Sequence, residues 1–351
     1  MKTVTVWTTT IILMGALVWA LPACQSSPKA PEAAQNTGPR PVEHPVMPLK
    51  LADGPLADRN SEISGLAWFG DHLVILPQYP ERFEGGPDGV LFTIPRDQIE
   101  AAASNPAHAP LAPRPLPLDA GGLQDRISGF EGYEALTFVG QKVYATIETS
   151  DGMTGRMVMG EIEADASAIS WGEPQEPALI KPQADLGNQC YEALLATKGG
   201  ELVTFYEANG QMVNATPQVI RFDGQSLASK GSQPMAALDY RLTDVTDLDD
   251  QGRFWALNYF WPGNKDIMPP KEALSERYGL GVSHLANEQV ERLVEFEYDP
   301  AKGVTRVDRA PILLRLEDEP RNWEGLVRLG DRGFVLATDK FPRTILGFVE
   351  R

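Results

Sequence analysis

Two cysteines and four histidines are all that this 351-residue chain offers to a soft metal or a disulfide. No CxxC or HExxH spacing occurs, and His44, His72, His108 and His284 are scattered, which argues against a zinc centre. No GxSxG nucleophile elbow is present either. Positive charge is scarce: Lys and Arg total 31 against 48 Asp and Glu, a formal net charge of -17. That balance argues against nucleic acid or an anionic membrane surface as a partner and favours cations or neutral ligands. Finally, the apolar run at residues 11–21 is too short to cross a bilayer comfortably as a helix.

That run instead suits the h-region of a signal peptide, with Lys2 supplying the positive n-region. It ends in Leu21-Pro22-Ala23-Cys24, which resembles the lipobox of bacterial lipoproteins. The resemblance implies cleavage after residue 23 and lipidation of Cys24, so the membrane is the expected partner of the mature N-terminus. Cys190 is then left without a disulfide partner. Gln25 follows the cysteine where an Asp resembles the inner-membrane retention signal, so the expected location is the cell envelope, at the outer membrane. Residues 24–45 are rich in Pro and Ala without apolar periodicity, which predicts a disordered tether. Residues 46–351 are long enough to bury a full core as one domain, expected to act as a monomer.

Within that domain one pattern recurs: a polar residue, a small residue, then Leu. It appears at Ser64-Gly65-Leu66, Glu134-Ala135-Leu136, Glu192-Ala193-Leu194, Thr246-Asp247-Leu248 and Glu324-Gly325-Leu326. Each motif opens a short apolar strand, a turn such as Gly70-Asp71 or Gly140-Gln141, and a second strand such as LVILP or VYATI. A third strand follows (VLFTI, MVMGEI, QVIRF, LVEFEY, TILGFV), and a further apolar stretch precedes each motif (MPLKL, RPLPL, PALIK, MAALDYRL, APILLRL). Four strands repeated five times predict an all-β, five-bladed β-propeller of four-stranded antiparallel blades. The last repeat has only three strands, so the segment at 46–51 is expected to pair with the strand around 344–349 and close the ring. Residues 263–291 leave room for the strands of a sixth blade. Helices are predicted in two insertions, at DQIEAAA and at residues 269–278, where loops often form lids or rims.

If the motifs open the innermost strands, Ser64, Glu134, Glu192, Thr246 and Glu324 converge on the channel. Three carboxylates there need a cation or protons to neutralise them. An oxygen-only set with hydroxyls suits Ca²⁺, whereas a structural role would have the glutamates accept backbone N–H groups of the next blade. A second column, Gln78, Glu148, Glu207, Tyr259 and Asp339, falls at the ends of the second strands and would surround the channel mouth as a binding rim. Tyr259, Phe260 and Trp261 beside it offer aromatic surface to a sugar or other ring, or cover the edge of the blade.

On these motifs the chain resembles the phytase-like, esterase-like propellers of bacteria and, more distantly, the calcium-activated nucleotidases, which carry Ser and Glu at matching strand starts around a central Ca²⁺. Ser64, Glu134 and Glu324 match best, with Glu192 a further candidate. The resemblance implies a calcium-dependent hydrolase of phosphate or carboxyl esters. Phosphate esters need cations to hold them, yet only Arg82, Arg126, Lys340 and Arg343 lie near the rim column in sequence. The other class is a non-enzymatic envelope protein whose propeller binds a ligand or serves as an assembly platform. The N-terminal assignment is tested by Cys24→Ser: the wild-type protein is expected to partition into the detergent phase and the variant into the aqueous phase. Equal partitioning into water would remove the lipid anchor.

Overall fold

The structure, a computed structural model, describes residues 40–151, 153–171, 176–187 and 189–351. The expected signal segment, Cys24 and the expected tether as far as residue 39 lie outside the described residues. Inner strands Ile63–Phe69, Phe130–Val139, Ala193–Ala196, Arg241–Val245 and Trp323–Leu329 fold back onto His72–Pro77, Lys142–Thr149, Glu201–Phe205, Arg253–Phe260 and Gly333–Thr338. The third strands, Val90–Pro95, Thr154–Ile162, Gln218–Asp223, Val290–Asp299 and Leu346–Glu350, extend each antiparallel sheet. Every one of the five first turns places a glycine in the left-handed region: Gly70, Gly140, Gly200, Gly252 and Gly330 have φ between 55° and 78°. A side chain would be strained there, so these glycines fix the hairpins that the sequence pattern predicts.

The inner strands touch in a ring, with Trp323–Leu329 beside Ile63–Phe69 and Arg241–Val245 beside both Ala193–Ala196 and Trp323–Leu329. Five buried apolar clusters fill the seams between neighbouring repeats. Leu66, Phe92, Val335 and Leu346 join the fifth repeat to the first, and Val74, Leu116, Val143 and Val158 join the first to the second. Tyr144, Tyr191 and Phe222 occupy the next seam, Phe205 and Phe254 the one after, and Trp255, Trp323 and Phe334 the last. Strands apolar on both faces are what such face-to-face stacking requires, and this explains the unbroken apolar runs. Outer strands of the first two repeats also meet, Ile169–Ser170 lying parallel to Leu118 and Asp119.

Met47–Leu49 pairs antiparallel with the third strand of the last repeat, Met47 opposite Phe348 and Leu49 opposite Leu346. The N-terminal segment therefore supplies the missing outer strand. It does more: Glu43–His44 lies parallel on Ile312–Leu314, the outer strand of the fourth repeat, so ordered chain starts before residue 46. Residues 263–291, where further strands had room, instead hold helical turns at Lys265–Ile267, Ala273–Tyr278 and Val282–Ala286 before the third strand starts at Val290. The outer strand of the third repeat is Ser229–Pro234, not the apolar MAALDYRL that follows it. The helix Arg96–Ser104 buries Ile99, Ala102 and Ala103 in the seam between first and fifth repeats, so it plugs a seam and does not cover a site.

Charged contacts concentrate around the fourth repeat and the start of the fifth. Glu291 and Arg321 are fully buried; Arg321 Nε and backbone N donate to the carboxylate at 2.9 and 3.0 Å, and Trp323 Nε1 donates at 2.7 Å. Arg292 donates two bonds of 3.0 Å to Glu272, which also caps Ala273–Tyr278 through Leu274 and Ser275. At the N-terminal segment, Glu43 accepts from Ser283 Oγ at 2.8 Å, from the backbone N–H groups of Ser283 and His284, and from His284 Nδ1 at 2.9 Å. Burial pushes the Glu43 carboxyl up, but these donors outweigh it and hold the group below its ordinary range. A lowered acid contributes stability that is present above its unfolded pKa and is lost as pH falls through the folded one. Glu43→Ala is therefore expected to cost about 2 kcal/mol in urea unfolding at pH 7, by stranding buried donors. The deficit should shrink below about pH 4, near the ordinary carboxyl range.

Candidate active channel

A β-bulge recurs at one place in the inner strands. Pairing slips between Ile63 and Gly65, Tyr133 and Ala135, Leu242 and Asp244, and Trp323 and Gly325. The extra residues are Ser64, Glu134, Thr243 and Glu324, and in the third repeat Glu192 stands just before the paired strand. A bulge leaves its extra residue out of the ladder and re-aims its side chain, here in the same register position of each repeat. Four of the five expected channel residues thus hold equivalent positions. In the fourth repeat the equivalent is Thr243, three residues before Thr246. Thr246 instead donates to Asp247 O and accepts from Trp255 N within its own hairpin, so it leaves the set. Thr243 Oγ1 donates to Trp323 O at 2.7 Å, and the adjacent Asp244 accepts from Leu326 N at 2.6 Å. The expected structural role, an acid accepting backbone N–H from the next blade, is filled by Asp244.

The second column is in register throughout. Each member faces the residue two before the bulge: Gln78 faces Glu62, Glu148 faces Gly132, Glu207 faces Cys190, Tyr259 faces Arg241, and Asp339 faces Asn322. Arg241 is the residue that the sequence pattern passes over. Its Nη2 lies 3.1 Å from Glu192 and 3.3 Å from Glu324, its Nε contacts Glu207, and its Nη1 donates to Asn322 Oδ1 at 3.2 Å. One guanidinium therefore joins acids from the third and fifth repeats, with the Tyr259 ring 5.7 Å from its centre. Asn322 Nδ2 donates to Glu324 at 2.6 Å and to Asp339 at 3.2 Å, and Gln78 Nε2 donates to Glu134 at 3.0 Å. Ser64 Oγ, Glu148 Oε1 and Asp339 Oδ1 are buried without a hydrogen-bond partner among the described residues.

Arg241 cannot neutralise every acid at the axis. Burial pushes Glu134 well up, and the charges of Glu148, Glu192 and Glu324 add to it. Glu324 is raised by burial and by Asp339, and Glu148 is pushed up to about 7 by burial and Glu192. Burial also raises Glu192, while Arg241 pulls it back. Protons thus share the countercharge with the guanidinium. No group of three His, Cys, Asp or Glu side chains among the described residues is disposed to hold a metal ion. The expected calcium ligands do not fit a hard-cation site in this arrangement, because Arg241 engages Glu192 and Glu324 and Thr246 lies elsewhere. Cys190 is buried, and burial raises its thiol, so it is no nucleophile.

Over Arg241 a cavity of about 580 Å³ opens, with Tyr259, Asn322 and Asp339 at its polar end and Trp261 and Phe341 on its walls. Of the aromatic trio, Phe260 and Tyr259 are buried and Trp261 is 55% exposed. Two of the four rim cations pair with Glu62, Lys340 at 2.6 Å and Arg82 at 3.0 Å.

No protein-family model and no curated protein matches this chain. Among solved structures, the PQQ-bound aldose sugar dehydrogenase of Streptomyces coelicolor is similar at 13% identity and TM-score 0.45, over 89% of this chain and 99% of that one. An α-L-arabinofuranosidase of Clostridium thermocellum is similar at 11% identity and TM-score 0.46, over 83% and 94%. The catalytic domain of an α-L-arabinofuranosidase of Coprinopsis cinerea is similar at 8% identity and TM-score 0.47, over 88% and 97%. Likeness at this level carries no statement about activity.

A raised acid stabilises the fold below its unfolded pKa, and that contribution is lost as pH rises through the folded value. With Glu148 at about 7, the melting temperature is expected to fall between pH 5 and 8, and Glu148→Gln is expected to flatten that slope. A slope unchanged in the variant would place the titration elsewhere.

Proposed function

We propose that the chain is a lipid-anchored envelope protein whose propeller binds a ligand at the channel mouth, with Arg241 fixing the polar end of the site. The cavity above Arg241 carries this reading. It is concave, it has aromatic walls, and a few convergent polar groups lie at one end, which is the usual make-up of a small-molecule site. The anchor rests on the lipobox-like motif at Cys24.

The ester-hydrolase alternative has less support. Phosphate recognition needs several free cations, and Lys340 and Arg82 are paired with Glu62 while Arg241 is held by acids, which leaves Arg59 on the cavity lining. A calcium site is a second reading, favoured by the unpartnered oxygens of Ser64, Glu148 and Asp339, which are hard donors. It requires Arg241 to withdraw from Glu192 and Glu324. A ligand that binds only the folded state raises stability by mass action, so calcium is testable by melting. With Arg241 as the countercharge, EDTA and added Ca²⁺ are expected to leave the melting temperature of the soluble domain unchanged. Arg241→Met is expected to cost about 3–5 kcal/mol near neutral pH, because it strands buried carboxylates, and less at pH 5 where protons replace the guanidinium. Melting that falls with EDTA and recovers with Ca²⁺ would establish the metal reading instead.

A further inference from the structure

The geometry points to a neutral, polyhydroxylated ring, a mono- or disaccharide, as the ligand class of the mouth cavity. This inference rests on the binding reading above and specifies it. Trp261 and Phe341 are 55% and 51% exposed, an unusual state for large aromatic side chains, and both line the same cavity. They come from different repeats: Trp261 follows the second strand of the fourth, and Phe341 lies between the second and third strands of the fifth. The Arg59 guanidinium sits 4.6 Å from the centre of the Phe341 ring and braces it. Two flat apolar surfaces at one cavity suit the C–H face of a pyranose or furanose ring.

The polar end selects for hydroxyl groups. Asp339 lines this end; its Oδ2 accepts from Asn322 Nδ2 at 3.2 Å, and its other oxygen is buried without a partner among the described residues. Asn322 Oδ1 and Arg241 Nη1 are bonded to each other at 3.2 Å and lie beside it, so acceptor and donor functions alternate over a short distance. Vicinal hydroxyls both donate and accept, and so match such a mixed set. Charge on the lining is balanced, Arg59 and Arg241 against Asp339 and Glu319. Neither an anion nor a cation is favoured by that balance, and the acids behind Arg241 oppose a phosphorylated ligand. A nucleoside shares the aromatic stacking but presents fewer hydroxyls to the polar end.

The test uses the domain from residue 40 onward and its Trp261→Ala, Phe341→Ala and Asp339→Asn variants. Far-UV circular dichroism and melting report folding; Trp261 and Phe341 are exposed, so their truncation should leave both unchanged. Binding is read by ligand-observed NMR and tryptophan fluorescence. The probes are glucose, galactose, xylose, arabinose, N-acetylglucosamine and their disaccharides, with adenine and phenyl phosphate as non-sugar rings. At least one saccharide is expected to bind, about tenfold or more weakly to Trp261→Ala, with a similar loss in Asp339→Asn. If adenine or phenyl phosphate binds in a Trp261-dependent way and no saccharide does, the sugar assignment falls while the mouth remains a binding site. If no probe binds in a Trp261-dependent way, both the sugar assignment and the mouth site fall.

Discussion

Carboxylates gathered at the axis of a ring of strands repel one another, and the low dielectric around them magnifies the repulsion. Something positive must sit among them or they must hold protons, and here both occur. Arg241 lies between Glu192, Glu207 and Glu324, while Glu134 and Glu148 are pushed toward the protonated form. The guanidinium is contributed by the fourth repeat and its carboxylates by the third and fifth. Charge balance at the axis therefore depends on the ring being closed, and the ring is more stable for having its axis balanced. A buried pair of this kind adds little net stability over an apolar substitute, but breaking it is costly, so it specifies one arrangement of the blades.

The same register that builds this cluster aims it. Four bulges and one strand start place the polar residue of each repeat at an equivalent point, and the residue two positions earlier faces the rim column. In the fourth repeat that earlier residue is an arginine and its rim partner a tyrosine; in the fifth they are asparagine and aspartate. Differences among otherwise equivalent positions make the mouth asymmetric. The polar end of the cavity lies on the side of the fourth and fifth repeats, where Trp261 and Phe341 also stand. The other acids, Glu134 and Glu148, come from the second repeat and stay out of that lining.

Much of this was legible from the sequence, for a definite reason. Hairpin glycines with positive φ and strands apolar on both faces leave strong local marks, so all five residues of the second column fall in equivalent register. The closing strand at 47–49 is legible because a sheet edge must be covered. The fourth repeat is misread by three residues because its preceding outer strand, Ser229–Pro234, is polar and mostly exposed and resembles a loop. The apolar MAALDYRL then takes its place, Arg241 is absorbed into an outer strand, and Thr246 is read for Thr243. With Thr243-Asp244-Val245 as the motif, Arg241 two residues upstream would have stood out as the one cation among Glu62, Gly132, Cys190 and Asn322. What no local pattern carries is the pairing of that arginine with glutamates some 35 to 80 positions away in the chain.

The double docking of the N-terminal segment bears on the order in which the molecule assembles. Residues 43–49 are made early, yet their partners, Ile312–Leu314 and Leu346–Glu350, are among the last to be synthesised. The segment must wait, unpaired, until nearly the whole domain has emerged, and contacts so distant in sequence are slow to form. The fifth repeat in turn keeps an open edge until the segment arrives. Completion of the ring thus acts as a checkpoint on chain length: a truncated or stalled product lacks the partner strands and leaves both edges uncovered. A pull on the chain N-terminal to residue 43 would load these two strand pairings before any other part of the ring.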